Sequence, residues 1–148
     1  MSSGEYGEGY VQPSDPKDIV VQCLEQAGND HAKIIQTMQD RLGINVAQEV
    51  RINIDSPTFE EHQAIKHLSK FTTLLMRYGI LSPAMVGMWF AEPRIKLNGK
   101  NILELLFTDI TQDGFDPNNI RIALTEAQAF VRPVEGVHEA VRILYEHN

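Results

Sequence analysis

The chain has 148 residues, 43% of them apolar, and a formal net charge of −7, which suits one globular domain around a single core. The negative charge argues against broad nucleic-acid binding, which needs a positive surface to release counterions. No apolar stretch approaches the roughly 20 residues of a membrane span, so neither nucleic acids nor membranes are expected partners.

The first residues of the chain are mainly Gly, Ser, Glu and Tyr. Such a segment cannot bury enough apolar surface to offset the entropy lost on ordering. We therefore predict a disordered tail over residues 1–13 and a helical domain over residues 14–148. The start of the chain also lacks the basic and apolar regions of a signal peptide. The single cysteine, Cys23, cannot form a disulfide within the chain, so a cytoplasmic protein is expected.

A Ser or Asp directly before a proline marks each of four expected helix starts. The side-chain oxygen accepts a hydrogen bond from an amide of the first turn. The proline loses nothing at the next position, because its missing N–H would be unpaired there. The four pairs are Asp15–Pro16, Ser56–Pro57, Ser82–Pro83 and Asp116–Pro117.

The spacing of apolar residues between these starts predicts an all-α fold of about seven helices. The expected ranges are 16–27, 31–42, 57–78, 83–91, 101–108, 117–131 and 134–145. Val50, Ile52 and Ile54 alternate with polar residues, which is the pattern of a short strand. Because no second strand is available to pair with it, we interpret this segment as an extended connector whose apolar side chains pack against the helices. The apolar helix 83–91 is expected to be buried on most sides.

Residues that could support catalysis or bind a metal lack the required spacing. Two imidazoles share a helix face when they are three or four residues apart, whereas His62 and His67 are five apart and diverge by about 140°. The segment Asp109–Asp116 lacks the ligand spacing and the later bidentate Glu of a calcium loop. Glu60 and Glu61 lie in a first helical turn, where the helix dipole favours carboxylates. We predict no catalytic residue, no metal and no cofactor.

Residues 71–89 have the layout of a helix-turn-helix, with Gly79 at the turn and a second helix after Ser82. A recognition helix presents polar or basic side chains to base edges. The second helix here reads PAMVGMWFA, without Lys or Arg, so DNA binding through it is not expected.

The segment from Trp89 to Leu106, WFAEPRIKLNGKNILELL, is the most informative part of the sequence. It contains the only tryptophan, a proline that stops one helix, a glycine turn, and an apolar run that restarts a helix. Three basic residues also lie in it, Arg94, Lys96 and Lys100. In an acidic chain such a cluster can steer an acidic partner.

Residues 82–106 carry a resemblance to a known family. Their features resemble the C-terminal toxin-binding domain of MbcA/ParS/Xre-type antitoxins: Ser82-Pro83, Trp89, Pro93, Leu97-x-Gly99 and Leu103-Glu104-Leu105-Leu106. The resemblance implies a bacterial antitoxin that binds a RES-domain toxin, an enzyme that consumes NAD, and blocks its active site sterically without catalysis of its own. Such antitoxins are usually homodimers, and many also repress their own operon.

The resemblance and the basic cluster together give the candidate partner-binding residues Trp89, Arg94, Lys96, Leu97, Gly99 and Lys100. Two other interpretations stay open, namely a DNA-binding regulator of the same lineage and a helical adaptor without a toxin partner. The sequence after Phe107 departs from the family pattern, and Asn101-Ile102 stands where the family favours Thr-Pro. The sequence alone does not decide whether Trp89 faces the core or a partner.

Overall fold

A computed structural model describes residues 15–107 and 117–131, and helices make up nearly all the regular structure of these residues. The α-helices are α1 (Pro16–Ala27), α2 (His31–Leu42), α3 (Val46–Val50), α4 (Phe59–Tyr78), α5 (Pro83–Ala91), α6 (Ile102–Phe107) and α7 (Pro117–Gln128), and a 3-10 turn covers Ile95–Leu97. Within these residues the one β-type contact is an isolated antiparallel bridge between Gly79 and Val131. The predicted all-α class is confirmed. The predicted tail over residues 1–13 and the helix expected at 134–145 lie outside the described residues.

Side-chain caps begin the helices largely where the sequence predicts. The Asp15 carboxylate accepts from the Lys17 amide at 2.8 Å and the Ser82 hydroxyl accepts from the Met85 amide at 3.3 Å. Both caps place a proline at the first helical position, as expected. The helix α7 also begins at the predicted Pro117.

The predicted start of α4 at Ser56–Pro57 is wrong. The helix begins at Phe59, and Thr58 is its cap. The Thr58 hydroxyl accepts from the Glu61 amide at 3.1 Å, and the Glu61 carboxylate accepts from the Thr58 amide at 2.9 Å. This reciprocal pair satisfies two amides that would otherwise lack a partner, which a Ser–Pro start cannot do.

The segment 50–54, predicted to be an extended connector, starts inside a helix at Val50, so that prediction is wrong in part. Residues 46–50 form the short helix α3, capped by the Asn45 side chain, which accepts from the Gln48 amide at 3.1 Å. Arg51, with φ of 57°, ends this helix in the left-handed conformation. Ile52 and Ile54 are partly buried against the core, which confirms the packing part of the prediction.

The end of the described chain also differs from the prediction. The helix α7 was expected to reach Val131 but stops at Gln128. The next residues leave the helix and pair with the α4–α5 connection, where the Ile80 amide donates to the Phe130 carbonyl at 3.0 Å. This pairing holds the end of α7 beside the start of α5.

The long helix α4 lies at the centre of the fold and contacts α1, α2, α5 and α6. Its inward face carries Phe71, Leu68 and Leu75, all fully buried. The helix α5 crosses close to the end of α2. At Gly87 an added Cβ atom would overlap the Leu42 carbonyl oxygen, so this approach requires glycine. No helix in the described part of the chain is long and apolar enough to cross a membrane.

Candidate partner-binding surface

Trp89 is a core residue with only 4% of its surface exposed. Its ring packs against Phe90 with centroids 4.9 Å apart in an edge-on arrangement, and against Phe71 at 6.2 Å. The indole N–H is buried and has no hydrogen-bond partner within the described residues. The tryptophan therefore contributes mainly packing, which answers the question that the sequence left open.

Arg94 locks the C-terminal end of α5. Its guanidinium donates to the Trp89 carbonyl at 2.8 Å and to the Glu92 carbonyl at 2.9 Å. It also donates to the Glu126 carboxylate on α7 at 3.1 Å. The same group lies 5.4 Å from the centroid of the Trp89 ring, a cation–π distance. A cation that binds the last carbonyls of a helix also interacts favourably with the helix dipole.

These bonds leave little of Arg94 for a partner, since 13% of its side chain is exposed. Lys96 differs. Its ammonium lies 2.7 Å from the same Glu126 carboxylate, yet 71% of its side chain is exposed. Lys100 is also exposed. Of the three predicted basic residues, Lys96 and Lys100 present accessible charge, whereas Arg94 holds two helices together.

The turn after Arg94 closes on itself through the backbone. The Arg94 carbonyl accepts from the Leu97 amide at 3.1 Å and the Gly99 amide at 2.9 Å, and the Arg94 amide donates to the Lys100 carbonyl at 3.1 Å. Asn98 and Gly99 both have positive φ, 59° and 83°, a conformation that glycine adopts without strain. Leu97 is half-buried and packs against the core. Gly99 therefore shapes the turn, and Leu97 anchors it.

Asn101 joins this turn to α6, a role that the sequence analysis missed. Its side-chain oxygen accepts from the Glu104 amide at 2.7 Å, while the Glu104 carboxylate accepts from the Asn101 amide at 2.9 Å. Its side-chain amide donates to the Ala91 carbonyl at 3.3 Å, at the end of α5. The spacing Asn-x-x-Glu is the signal that could have predicted this cap.

The outward face of α5 is apolar and exposed. Met85 is 50% exposed and Met88 63%, and Ala84 is exposed beside them. We call Ala84, Met85 and Met88 the α5 ridge. The prediction that this helix is buried on most sides is wrong, because Val86, Trp89 and Phe90 face the core while the ridge faces away.

Two grooves flank the α5 ridge. One, of about 280 Å³, is lined by the ridge methionines together with Leu81, Trp89, Glu92, Arg94, Glu126 and Phe130. The other, of about 200 Å³, lies between the ridge and residues of α2, α3 and their connection, including Leu42, Ile44 and Glu49. Met88 lines both grooves. Ile80, 67% exposed, and Ile95, 98% exposed, lie in the segments just before and just after α5.

The predicted partner-binding residues divide into two groups, one structural and one exposed. Trp89, Arg94, Leu97 and Gly99 build the scaffold beneath and beside the α5 ridge, while Lys96 and Lys100 contribute exposed charge after its C-terminal end. The ridge itself was not among the predicted residues. The helical spacing of Met85 and Met88, three residues apart, places them on one face, but it does not say which face is buried.

The histidines do not assemble the pair that the sequence analysis considered. His67 is buried, whereas His62 lies against His31 of α2 with ring centroids 5.4 Å apart. Burial first, then electrostatic interaction with His31 and with Lys66, lowers the pKa of His62 below its ordinary value of 6.5. Within the described residues no three His, Cys, Asp or Glu side chains converge on a metal site. The considered acidic loop, 109–116, lies outside those residues.

Comparisons with models of protein families, with curated proteins and with solved structures give no match to this chain.

Proposed function

We propose that the chain is an antitoxin-like protein that binds a RES-type toxin and blocks it sterically, using the α5 ridge as the docking surface. The observation that carries the proposal is the exposure of two methionines on one face of α5, both beside the larger groove and Met88 beside the smaller one as well. Contiguous exposed apolar side chains that are rimmed by polar residues are typical of interaction sites. The resemblance of residues 82–106 to antitoxins supports the choice of partner.

The ridge offers energy for association. Met85 and Met88 retain half or more of their exposure in the free chain, and covering an apolar side chain contributes on the order of 1 kcal/mol for each half-exposed methionine. Methionine is unbranched and polarizable, so it adapts to an irregular apolar surface. A partner that inserts aliphatic side chains into both grooves would bury the ridge between them.

Two exposed lysines add positive charge at one end of the ridge. Lys96 and Lys100 lie on the turn that follows α5, and both are exposed. Opposite charges at the rim of an interface raise the association rate more than the final affinity. The proposed docking surface thus has an apolar centre, two exposed lysines at one end, and the carboxylates of Glu92 and Glu126 along the larger groove. Steric blockade from it needs no catalytic group on this chain.

The helix α5 gives less support to the alternative function, a DNA-binding regulator. In a helix-turn-helix arrangement α5 would be the recognition helix. Its outward side chains are Ala84, Met85 and Met88, which offer no hydrogen-bond donor to base edges. In the adaptor alternative the same docking surface binds a different protein. Identifying the bound protein therefore distinguishes this alternative from the proposal.

Growth of bacteria that express a RES-type toxin tests the proposal. Co-expression of the wild-type chain should restore growth, and the variant Met85→Glu/Met88→Glu should not, because it puts two carboxylates on the ridge. The matched control is Phe59→Glu, which adds a carboxylate at another exposed apolar residue, 69% exposed, at the start of α4. Growth arrest that persists with the wild-type chain and soluble expression of both proteins contradicts the proposal.

A further inference from the structure

The four methionines within the described residues lie in two sharply different environments. Met38 is completely buried and Met76 is 3% exposed, whereas Met85 is 50% and Met88 63% exposed. Met38 is shielded further, because its sulfur accepts a hydrogen bond from the Thr72 hydroxyl at 3.4 Å. Oxidation of a thioether depends on access of the oxidant to sulfur, so the two exposed residues are the reactive pair among these four.

We propose that Met85 and Met88 form an oxidation site through which a peroxide switches the α5 ridge from apolar to polar. The thioether sulfur attacks one oxygen of hydrogen peroxide and the O–O bond breaks. One oxygen atom is transferred to sulfur as the sulfoxide, and the rest of the peroxide leaves as water. Sulfur is oxidised by two electrons and peroxide is reduced by two, with no net release of protons.

Because of where Met85 and Met88 lie, their oxidation would change the polarity of both grooves. Met85 and Met88 are three residues apart on one helical face, and both line the larger groove. Met88 also lines the groove on the other side of α5. Sulfoxides at these positions place strongly polar oxygens on both walls of the ridge. Because the side chains face away from the core, the fold tolerates this change.

The functional consequence rests on the proposed docking role. A sulfoxide oxygen that a partner buries without a donor carries the desolvation penalty of an unpaired polar group, so each oxidised methionine should weaken association about tenfold. Reduction of the sulfoxides by methionine sulfoxide reductases MsrA and MsrB, one for each sulfoxide epimer, should restore the apolar ridge. An oxidising environment would thereby release the partner reversibly.

The first experiment needs no partner. The full chain is treated with hydrogen peroxide, the sulfoxides are located by peptide mass spectrometry, and apolar surface is followed by the fluorescence of 8-anilinonaphthalene-1-sulfonate. We expect Met85 and Met88 to oxidise at least roughly tenfold faster than Met38 and Met76. We also expect the dye signal to fall while the melting temperature holds, and to recover after treatment with both reductases. Equal oxidation rates at all four positions, or an unchanged dye signal after oxidation at both ridge positions, overturns the proposal.

The second experiment uses Met85→Leu/Met88→Leu, in which the ridge stays apolar but cannot form sulfoxides. Each protein is compared with itself before and after peroxide, both by dye fluorescence and by affinity for the RES-type toxin. Wild type should lose affinity and signal, and the leucine variant should keep its own starting values. Equal losses in the variant overturn the oxidation site. Failure of the untreated chain to bind the toxin contradicts the antitoxin proposal alone, since the dye comparison still decides the oxidation site.

Discussion

Replacement of Arg94 by methionine tests how the end of α5 is held. The methionine keeps most of the aliphatic stem and removes the guanidinium. The change in stability therefore reports the hydrogen bonds of the guanidinium. Three are lost: one to the Trp89 carbonyl at 2.8 Å, one to the Glu92 carbonyl at 2.9 Å, and one to the Glu126 carboxylate at 3.1 Å.

The expected cost follows from burial. Hydrogen bonds from a charged donor contribute about 1.5–3 kcal/mol each when shielded from water and less when exposed. Arg94 and Glu126 have 13% of their side chains exposed, which shields their pair, while the bond to Glu92 is exposed. The contact with the Trp89 ring adds roughly 0.5–1 kcal/mol. We expect the free energy of unfolding to fall by about 3 kcal/mol, and the melting temperature by roughly 6–12 °C.

Urea denaturation followed by tryptophan fluorescence measures this directly, because Trp89 is the only tryptophan in the chain. The matched control is Lys100→Met, which removes an exposed cation from the same turn and should change stability by less than about 0.5 kcal/mol. Arg94→Lys should fall between the two, since a single ammonium cannot reproduce a planar fork of donors. A loss below about 1 kcal/mol for Arg94→Met would refute the account of Arg94 as the lock between α5 and α7.

Three other predictions concern packing, capping and pH. Gly87→Ala should lower the free energy of unfolding by at least about 2 kcal/mol in urea titrations. The reason is that its Cβ would overlap the Leu42 carbonyl and force α2 and α5 apart. An unchanged urea midpoint would contradict the close crossing of these helices. Asn101→Ala should cost about 1–2 kcal/mol by the loss of its cap and of its bond to the end of α5, and a variant as stable as wild type would show that these bonds contribute little. The pKa of His62 lies below its ordinary value of 6.5 through burial and then His31, so the unfolded state binds the proton first and stability should fall as pH drops from about 7.5 to about 5.5. His62→Gln should flatten this dependence of melting temperature on pH, and an identical slope in the variant would count against the assignment.

Much of the helical layout follows from local rules that the sequence displays. Asp15, Ser82 and the prolines after them fix the starts of α1 and α5, because capping involves atoms only two or three residues apart. Gly28 and Gly43, with φ of 58° and 76°, end α1 and α2 in conformations that favour glycine. Such signals act within one turn, so they can be predicted from neighbouring residues.

The errors arise where several signals compete or where distant segments decide. Ser56–Pro57 and the Thr58–Glu61 box both predict a start for α4, and the box has two reciprocal bonds. The helix α3 is only five residues long, too short to show a helical period. The end of α7 depends on pairing between Phe130 and Ile80, fifty residues apart in sequence.

The candidate surface was only partly predictable for the same reason. The charge of Arg94 is visible in the sequence, but its commitment to Glu126 requires knowing that α7 packs beside the end of α5. A uniformly apolar helix such as α5 gives no periodic sign of its buried side. Which residues form the α5 ridge is set by the crossing at Gly87 and by the packing of Trp89 and Phe90.

The most direct test of the proposed function is the affinity of a purified RES-type toxin for the chain, measured by calorimetric titration. The wild-type chain and Phe59→Glu should bind with equal affinity, and Met85→Glu/Met88→Glu should bind at least about a hundredfold more weakly, because two apolar contacts become buried charges. All three proteins should show the same helical content by circular dichroism. Equal affinity of the double variant and the wild type, or no binding by the wild type, would contradict the assignment of the α5 ridge as the toxin-docking surface.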